Sequence, residues 1–540
     1  MNPTDLPLTP LAFLARSALV HPDHVAAVDG DRRMTYREAA DHVTRVAHAL
    51  GELGVRDGDR VAYLAPNSME VLWSHFAVPL ARGVLVTINT RLAAEEVRYI
   101  LQHCQATVVM VDPQFWSVVD SIRDTLPARE YVILPDADGA AVPMEGALDY
   151  TALVDGASSE PLAWQVDDED ATVTINYTSG TTGRPKGVMY THRGAYLNAM
   201  NQVVHQGFSP QTRYLWTLPM FHCNGWCCAW AVVAAGGTQV CLRAVRGPEV
   251  WGLIDGEEIT HLCGAPTVLS IMAADERAHA LTQPLTVTTA GAAPSPTIIE
   301  KFNALNATIV HVYGLTETYG PYTVCAPQPD WAGLDAHDLA VRMSRQGVGM
   351  ICAAEVRVID TAQAGPDGEL LDVAADGRTM GEIVMRGNTT MKGYYADEAA
   401  TAEAFHGGWF HSGDLGVIHP DGYIQLLDRA KDVIVSGGEN ISTVEVEQAV
   451  LRHASVADVA VIGVPDDRWG EVPRAIVVLT PGAALEGAEL IAHVKTQIAS
   501  YKAPKSVEFV ADLPKTATGK IRKHELREQA WAGRASKIQG

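Results

Sequence analysis

No stretch of the 540-residue sequence offers about 18 uninterrupted apolar residues, so no membrane span is expected. The start, MNPTDLPLTPLAFLARSALVHPD, also lacks the basic n-region of a secretory leader, and the expectation is a cytoplasmic protein. The sequence is poor in cysteine at ligand spacing. Its eight cysteines (104, 223, 227, 228, 241, 263, 325 and 352) are scattered through apolar segments, which suits reduced core thiols better than a disulfide framework. In FHCNGWCCAW, the set His222, Cys223, Cys227 and Cys228 has no second cysteine pair to complete a zinc site. Phe221, Trp226 and Trp230 make the segment a pocket wall or a packed helix instead. Positive charge is scarce as well: 41 Lys+Arg face 64 Asp+Glu, and a net charge of −23 argues against nucleic acid or an anionic membrane as the main partner. There is no internal repeat and no low-complexity linker.

A chain this long exceeds what one core usually holds, so two or more domains are expected. With 47% hydrophobic and 19% charged residues it has an ordinary globular composition. The charge is uneven. Residues 429–540 carry 15 Lys+Arg against 14 Asp+Glu, whereas residues 1–428 carry 26 against 50. Lys502, Lys505, Lys515, Lys520, Arg522, Lys523, Arg527, Arg534 and Lys537 make the last forty residues basic, an end suited to anions.

Up to about residue 350, apolar runs such as RVAYLAP, GVLVTIN, ATVVMVD and EYVILPD alternate with amphipathic stretches such as TYREAADHVTRVAHALGELG, where Thr35 and Glu38 form a capping box. That alternation predicts layered α/β structure with largely parallel sheets. From about Glu355 to Gln425 the texture turns to β segments with Gly- and Asp-rich turns, and DTAQAGPDGELLDVAADGRT reads as an exposed loop. After LLDRAKD a smaller α+β pattern begins, placing a boundary at Asp428 to Asp432.

Functional signals start with YTSGTTGRPKG, Tyr177 to Gly187, directly after the strand-like ATVTIN. It holds three glycines, five hydroxyl side chains and two cations. Such a loop packs no core, but its N–H groups, hydroxyls and Lys186 suit a polyphosphate. The familiar nucleotide loop needs Gly-Lys followed by Ser or Thr. Here Arg184 and Pro185 separate Gly183 from Lys186, and Gly187 follows. Further polar residues stand in VYGLTET (Thr316, Glu317), WFHSGDLG (Asp414), DRAKDVIVSGGENIS (Arg429, Lys431) and LPKTATGKIRK (Lys520). Each alone is an ordinary turn or surface feature.

Their order is distinctive. YTSGTTGRPKG, LPMFH, VYGLTE, GWFHSGDLG, DRAKDVIVSGGENI and PKTATGKIRK in this register resemble the adenylate-forming superfamily of acyl-CoA synthetases, firefly luciferases and peptide-synthetase adenylation domains. Within it, the chain is most similar to AMP-forming ligases that join short-chain, medium-chain or aromatic acids to CoA. The resemblance implies a large N-terminal adenylation domain (1–428) of layered α/β sheets with a β-rich subdomain, and a small mobile α+β domain (429–540) hinged near 428–432. It implies ATP, Mg²⁺ and coenzyme A, an acyl-AMP intermediate, a small carboxylic acid as substrate, and a homodimer.

Residue by residue, the resemblance puts the β- and γ-phosphates on Thr178, Ser179, Gly180, Thr181, Thr182, Gly183 and Lys186. Glu317 would orient Mg²⁺ and Thr316 would bond the α-phosphate. Adenine would lie against Gly291, Ala292, Ala293, Pro294, Tyr313 and Gly314; His311 departs from the Asn or Asp common there. Asp414 would accept the ribose hydroxyls beside Arg429. The implied catalytic set is Lys520, Thr316, Glu317 and His222, with Lys520 bridging carboxylate and α-phosphate, and with Lys515 and Lys523 as nearby decoys. Lys431 would be the hinge, and Ser436, Gly437, Gly438 and Glu439 would line the CoA tunnel. The acid pocket would comprise His222, Trp226, Trp230, Ala292, Ala293, Gly314, Tyr319 and Tyr322. Apart from His222 these are apolar or aromatic, so the acid's tail is expected to be apolar: short or medium-chain, aromatic or alicyclic. His222 also replaces the aspartate that amino-acid-activating relatives carry there. Transfer to a carrier-protein thiol or an amine, a single half-reaction, a luciferase-like oxygenase and a non-catalytic nucleotide sensor are the alternative readings.

Overall fold

The computed structural model describes residues 6–178, 184–291, 294, 296–365, 369–429, 432–436, 439–466, 469–515 and 521–531. Packing divides the chain into two units, Met1–Glu355 with Arg386–Phe405, and Val356–Met385 with His406–Gly540.

The first unit is built on two sheets. One has eight strands in the order Gly393–Tyr394, Gly187–Thr191, Thr172–Tyr177, Val84–Thr87, Arg60–Leu64, Ala106–Val111, Glu130–Ile133 and Leu148–Asp149. From Thr172–Tyr177 onward the pairs are parallel, while the first two pairs are antiparallel. Continuous apolar runs such as Ala106–Val111 are buried at every position, as strands covered on both faces must be. The other sheet has nine strands, in the order Val348–Gly349, Gly320–Val324, Ala307–Leu315, Leu285–Thr289, His261–Gly264, Arg213–Leu215, Thr238–Val240, Val25–Asp29 and Arg32–Thr35. The predicted capping box is present at Tyr36–Glu52, where Glu38 N–H donates to the Thr35 hydroxyl and Thr35 N–H donates back to the Glu38 carboxylate at 2.8 Å.

The second unit carries a sheet of Leu370–Asp372, Glu355–Ala364, Gly381–Arg386, Phe410–Ile418 and Ile424–Arg429. Its other sheet centres on the antiparallel pair Val456–Asp466 and Gly470–Leu479. Helices Thr443–Leu451 and Gly487–Gln497 close a core of Ile434, Val446, Val450, Val461, Val477, Leu490 and Val494 over it. The stretch 360–379, read as an exposed loop, is mostly exposed and is without strand or helix over 373–379, while its residues 360–364 complete the strand Glu355–Ala364 and pair antiparallel with Leu370–Asp372. Packing groups residues 356–385 with the C-terminal residues. All eight cysteines are free thiols, and all but Cys352 are buried.

His75, His192 and His311 are buried, and burial pushes each imidazole from its ordinary 6.5 down to about 4. The unfolded chain protonates these rings near 6.5, so between the two values it binds more protons than the fold does. Stability should therefore be full above the unfolded value and fall as pH drops through this window toward 4. Urea-unfolding midpoints measured across the window check it; a flat profile would mean that these rings are accessible in the fold.

Candidate active site

The base of the Tyr177–Gly187 loop is a closed ladder. Tyr177 pairs with Gly187 across the antiparallel strands, Thr178 N–H donates to the Lys186 carbonyl at 3.0 Å, and Lys186 N–H donates to the Thr178 hydroxyl at 3.3 Å. Ser179, Gly180, Thr181, Thr182 and Gly183 lie outside the described residues. The Lys186 ammonium rests 4.5 Å from the centre of the Tyr394 ring.

Thr316 and Glu317 sit on a 3₁₀ turn, Thr316–Thr318, that joins Ala307–Leu315 to Gly320–Val324. The turn is tight because Leu315 N–H donates to the Thr318 hydroxyl, which donates to the Gly320 carbonyl, each at 2.8 Å. A Cβ at Gly314 would lie 1.8 Å from that same carbonyl oxygen, so the position excludes any side chain. Neighbouring elements hold the turn from several sides. The Tyr190 hydroxyl donates to the Thr316 carbonyl at 2.7 Å, Met391 N–H donates to the Glu317 carbonyl at 2.7 Å, and the Asn198 amide donates to the Tyr319 carbonyl at 2.9 Å. The Tyr394 hydroxyl donates to Glu317 Oε1 at 2.9 Å. A single half-buried carboxylate suits a hard cation that takes most of its ligands from phosphate and water, so Glu317 fits the implied Mg²⁺.

The segment expected as a pocket wall or packed helix is neither a right-handed helix nor a plain loop. Cys223, Asn224, Gly225, Trp226 and Cys227 all have positive φ, forming a buried left-handed turn before helix Cys228–Ala235. Left-handed backbone costs roughly 1–2 kcal/mol per non-glycine residue, so packing must hold it. His75 supplies part of that hold: its Nε2 accepts from the Asn224 amide at 3.0 Å, and its backbone carbonyl accepts from Trp230 Nε1 at 3.0 Å. The Cys223 sulfur lies 3.8 Å from His222 Nε2 and 3.5 Å from the Thr316 hydroxyl, so His222 and Thr316 are neighbours around it. Burial pushes the Cys223 thiol up to about 12, which leaves it a packing group.

Trp226 lies against Gly320, where a Cβ would come within 2.6 Å of its Cδ1. Trp226, Trp230, Tyr319 and Tyr322 are 4%, 1%, 0% and 0% exposed. The Tyr319 hydroxyl accepts from Thr191 N–H, its ring stacks on Tyr190 at 3.9 Å, and the Tyr322 hydroxyl donates to the Glu355 and Arg386 carbonyls. Gly291 and Pro294 are described, but Ala292 and Ala293 are not. Tyr313 is buried in the strand that ends at the turn. His311 is buried with Nδ1 bonded to the Arg345 carbonyl at 2.8 Å.

In the second unit, Asp414 and Arg429 are cross-strand partners, which brings the expected ribose pair together at the level of the backbone. Asp414 is 3% exposed and its N–H donates to the Ser412 hydroxyl. Ser436 and Glu439 face each other across a hairpin; Gly437, Gly438 and Lys431 lie outside the described residues. So does Lys520, but its flanks are fixed by a bridge between Lys515 and Ile521 and by Arg522 N–H donating to the Pro514 carbonyl. Both decoys are committed elsewhere, Lys515 to Asp458 at 2.6 Å and Lys523 to Glu447 at 2.8 Å.

Sequence reasoning missed Tyr190, Asn198 and Tyr394. A tyrosine in KGYY and an asparagine inside a helix give no signal until the strands that seat them are known.

The family model described as AMP-binding enzyme matches residues 14–395, and that of the AMP-binding enzyme C-terminal domain matches residues 445–520. The chain is 42% identical to an acetate–CoA ligase of Humulus lupulus, covering 97% of this chain and 94% of that protein. It is 41% identical to 4-hydroxybutyrate–CoA ligase 2 of Metallosphaera sedula, covering 97% and 95%. Among solved structures, an anthranilate CoA ligase in complex with anthranoyl-AMP superposes with a TM-score of 0.86 at 27% identity, covering 98% of this chain and 99% of that one.

Proposed function

This chain belongs to the AMP-binding enzyme family and is an AMP-forming acid–CoA ligase; from that premise we propose that its substrate is a short-chain carboxylic acid with an apolar tail. The observation that carries the proposal is the seat of Trp226. Its backbone lies in a left-handed turn and its indole packs on Gly320, next to the Thr316–Glu317 turn; that fixed, bulky side chain supports the reading that Trp226 limits the length of the acid's tail. The relatives named for acetate and for 4-hydroxybutyrate support the short chain, though the second acid ends in a hydroxyl and lends nothing to an apolar tail.

The proposed roles follow from charge. Carboxylate and α-phosphate repel each other, so adenylation needs cations and fixed geometry. Lys186 and the Thr178 loop hold the terminal phosphates, Thr316 bonds the α-phosphate, Asp414 holds the ribose, and Lys520 draws the two reacting groups together. When bound, Mg²⁺ neutralises phosphate charge, and Glu317 is the residue that would hold it. A hinge at Lys431 then lets the C-terminal segment exchange Lys520 for the Ser436–Glu439 hairpin beside the thiol.

ATP–pyrophosphate exchange without CoA, using pools of short, medium, long, aromatic and alicyclic acids, tests the reading. Exchange should be strongest with the short apolar pool, and added CoA should convert that acid to its thioester. Preference for long or aromatic acids would overturn the short-chain proposal.

A further inference from the structure

The segment 391–395 is a strap that joins the phosphate loop to the Thr-Glu turn. Tyr395 N–H donates to the Gly187 carbonyl at 2.7 Å and Lys392 N–H to the Met189 carbonyl at 3.0 Å, while Met391 N–H donates to the Glu317 carbonyl at 2.7 Å. Tyr394 pairs with Val188 in this strap, and its own N–H donates to the Thr401 hydroxyl at 2.9 Å. Its ring is thus fixed at the edge of the eight-stranded sheet.

That ring does two things at once. Its face receives the Lys186 ammonium at 4.5 Å, and its hydroxyl donates to Glu317 Oε1 at 2.9 Å. A lysine and a glutamate facing one site would ordinarily pair with each other and so withhold both charges from a ligand. Here a phenol stands between them. It offers the ammonium a π face, which is weaker than a carboxylate, and it offers the carboxylate one neutral donor.

The geometry points to Tyr394 as a positioning residue that holds Lys186 and Glu317 apart, orienting the carboxylate for a phosphate-bound divalent cation and the ammonium for phosphate. It rests on the roles proposed above for Lys186 and Glu317. The hydroxyl acts on the cation side and the ring on the phosphate side, so the two can be separated by substitution.

The test is calorimetric binding of ATP to the full chain, with and without Mg²⁺, for the wild type, Tyr394→Phe, Tyr394→Leu and Glu317→Gln. Tyr394→Phe keeps the ring and should fold. Loss of one charge-assisted hydrogen bond should reduce the Mg²⁺-dependent gain in ATP affinity by about tenfold. Its affinity for ATP without Mg²⁺ should not change, a split that a merely structural role would not produce. Tyr394→Leu should weaken ATP binding without Mg²⁺ as well, because Lys186 then pairs with Glu317. If Tyr394→Phe matches the wild type with and without Mg²⁺ while Glu317→Gln loses the Mg²⁺-dependent gain, the Tyr394 role is overturned and that of Glu317 stands. If Glu317→Gln keeps the gain, the underlying assignment of Glu317 is the one that fails.

Discussion

Lys520→Ala should lose about a hundredfold or more of the adenylation rate, the scale of removing one preorganised electrostatic contact from a transition state. The same variant should still convert a supplied acyl-adenylate and CoA to the thioester, since that step has no second anion to bring up to the phosphate. The other lysines of the motif cannot substitute. Lys515 is paired with Asp458, and Lys523 is held by Glu447 and the Thr443 hydroxyl. The described residues on either side of Lys520 are tied together by the Lys515–Ile521 bridge. Single-turnover assays of each half-reaction decide the matter. Equal loss in both would remove Lys520 from the role given to it.

The second large effect is on chain length. Trp226→Gly should raise the preference for a hexanoate over an acetate, as a ratio of kcat/KM, by about a hundredfold, because each newly buried methylene is worth roughly 0.8 kcal/mol. The choice of glycine matters. Removing a buried tryptophan side chain costs about 3–5 kcal/mol, and alanine would also keep the left-handed strain of about 1–2 kcal/mol that glycine relieves. At φ 54° the glycine variant should therefore be the more stable of the two. Acid profiles and urea midpoints for both variants test this. An unchanged chain-length profile in a folded Trp226→Gly enzyme would take Trp226 out of the pocket wall.

Much of the candidate site was legible because the proposed chemistry depends on composition at fixed spacing. A loop of glycines and hydroxyls between two β periods, or a carboxylate directly after a threonine at a strand end, is visible in a string of letters. Tyr394 was not, because its meaning lies in two contacts, with Lys186 some two hundred positions earlier and with Glu317. The left-handed run at Cys223–Cys227 was equally hidden. Only Asn224 and Gly225 in it tolerate such backbone, and the apolar letters around them read as an ordinary helix or wall. The exposed loop read at 360–379 held in part: residues 373–379 are without strand or helix, but 360–364 belong to a strand whose partner, Leu370–Asp372, is set by pairing rather than by local composition.

The sequence by itself determined the layered α/β class and the ordered motifs by which this chain resembles the acid–CoA ligases. Those properties are local: side-chain period, turn chemistry and residue type act over a few neighbours. Tertiary structure alone decided where Trp226 points, how tightly the Thr316–Glu317 turn is clamped, and that a phenol separates Lys186 from Glu317. These depend on which strands lie side by side and at what register, and register is set by the packing of whole sheets.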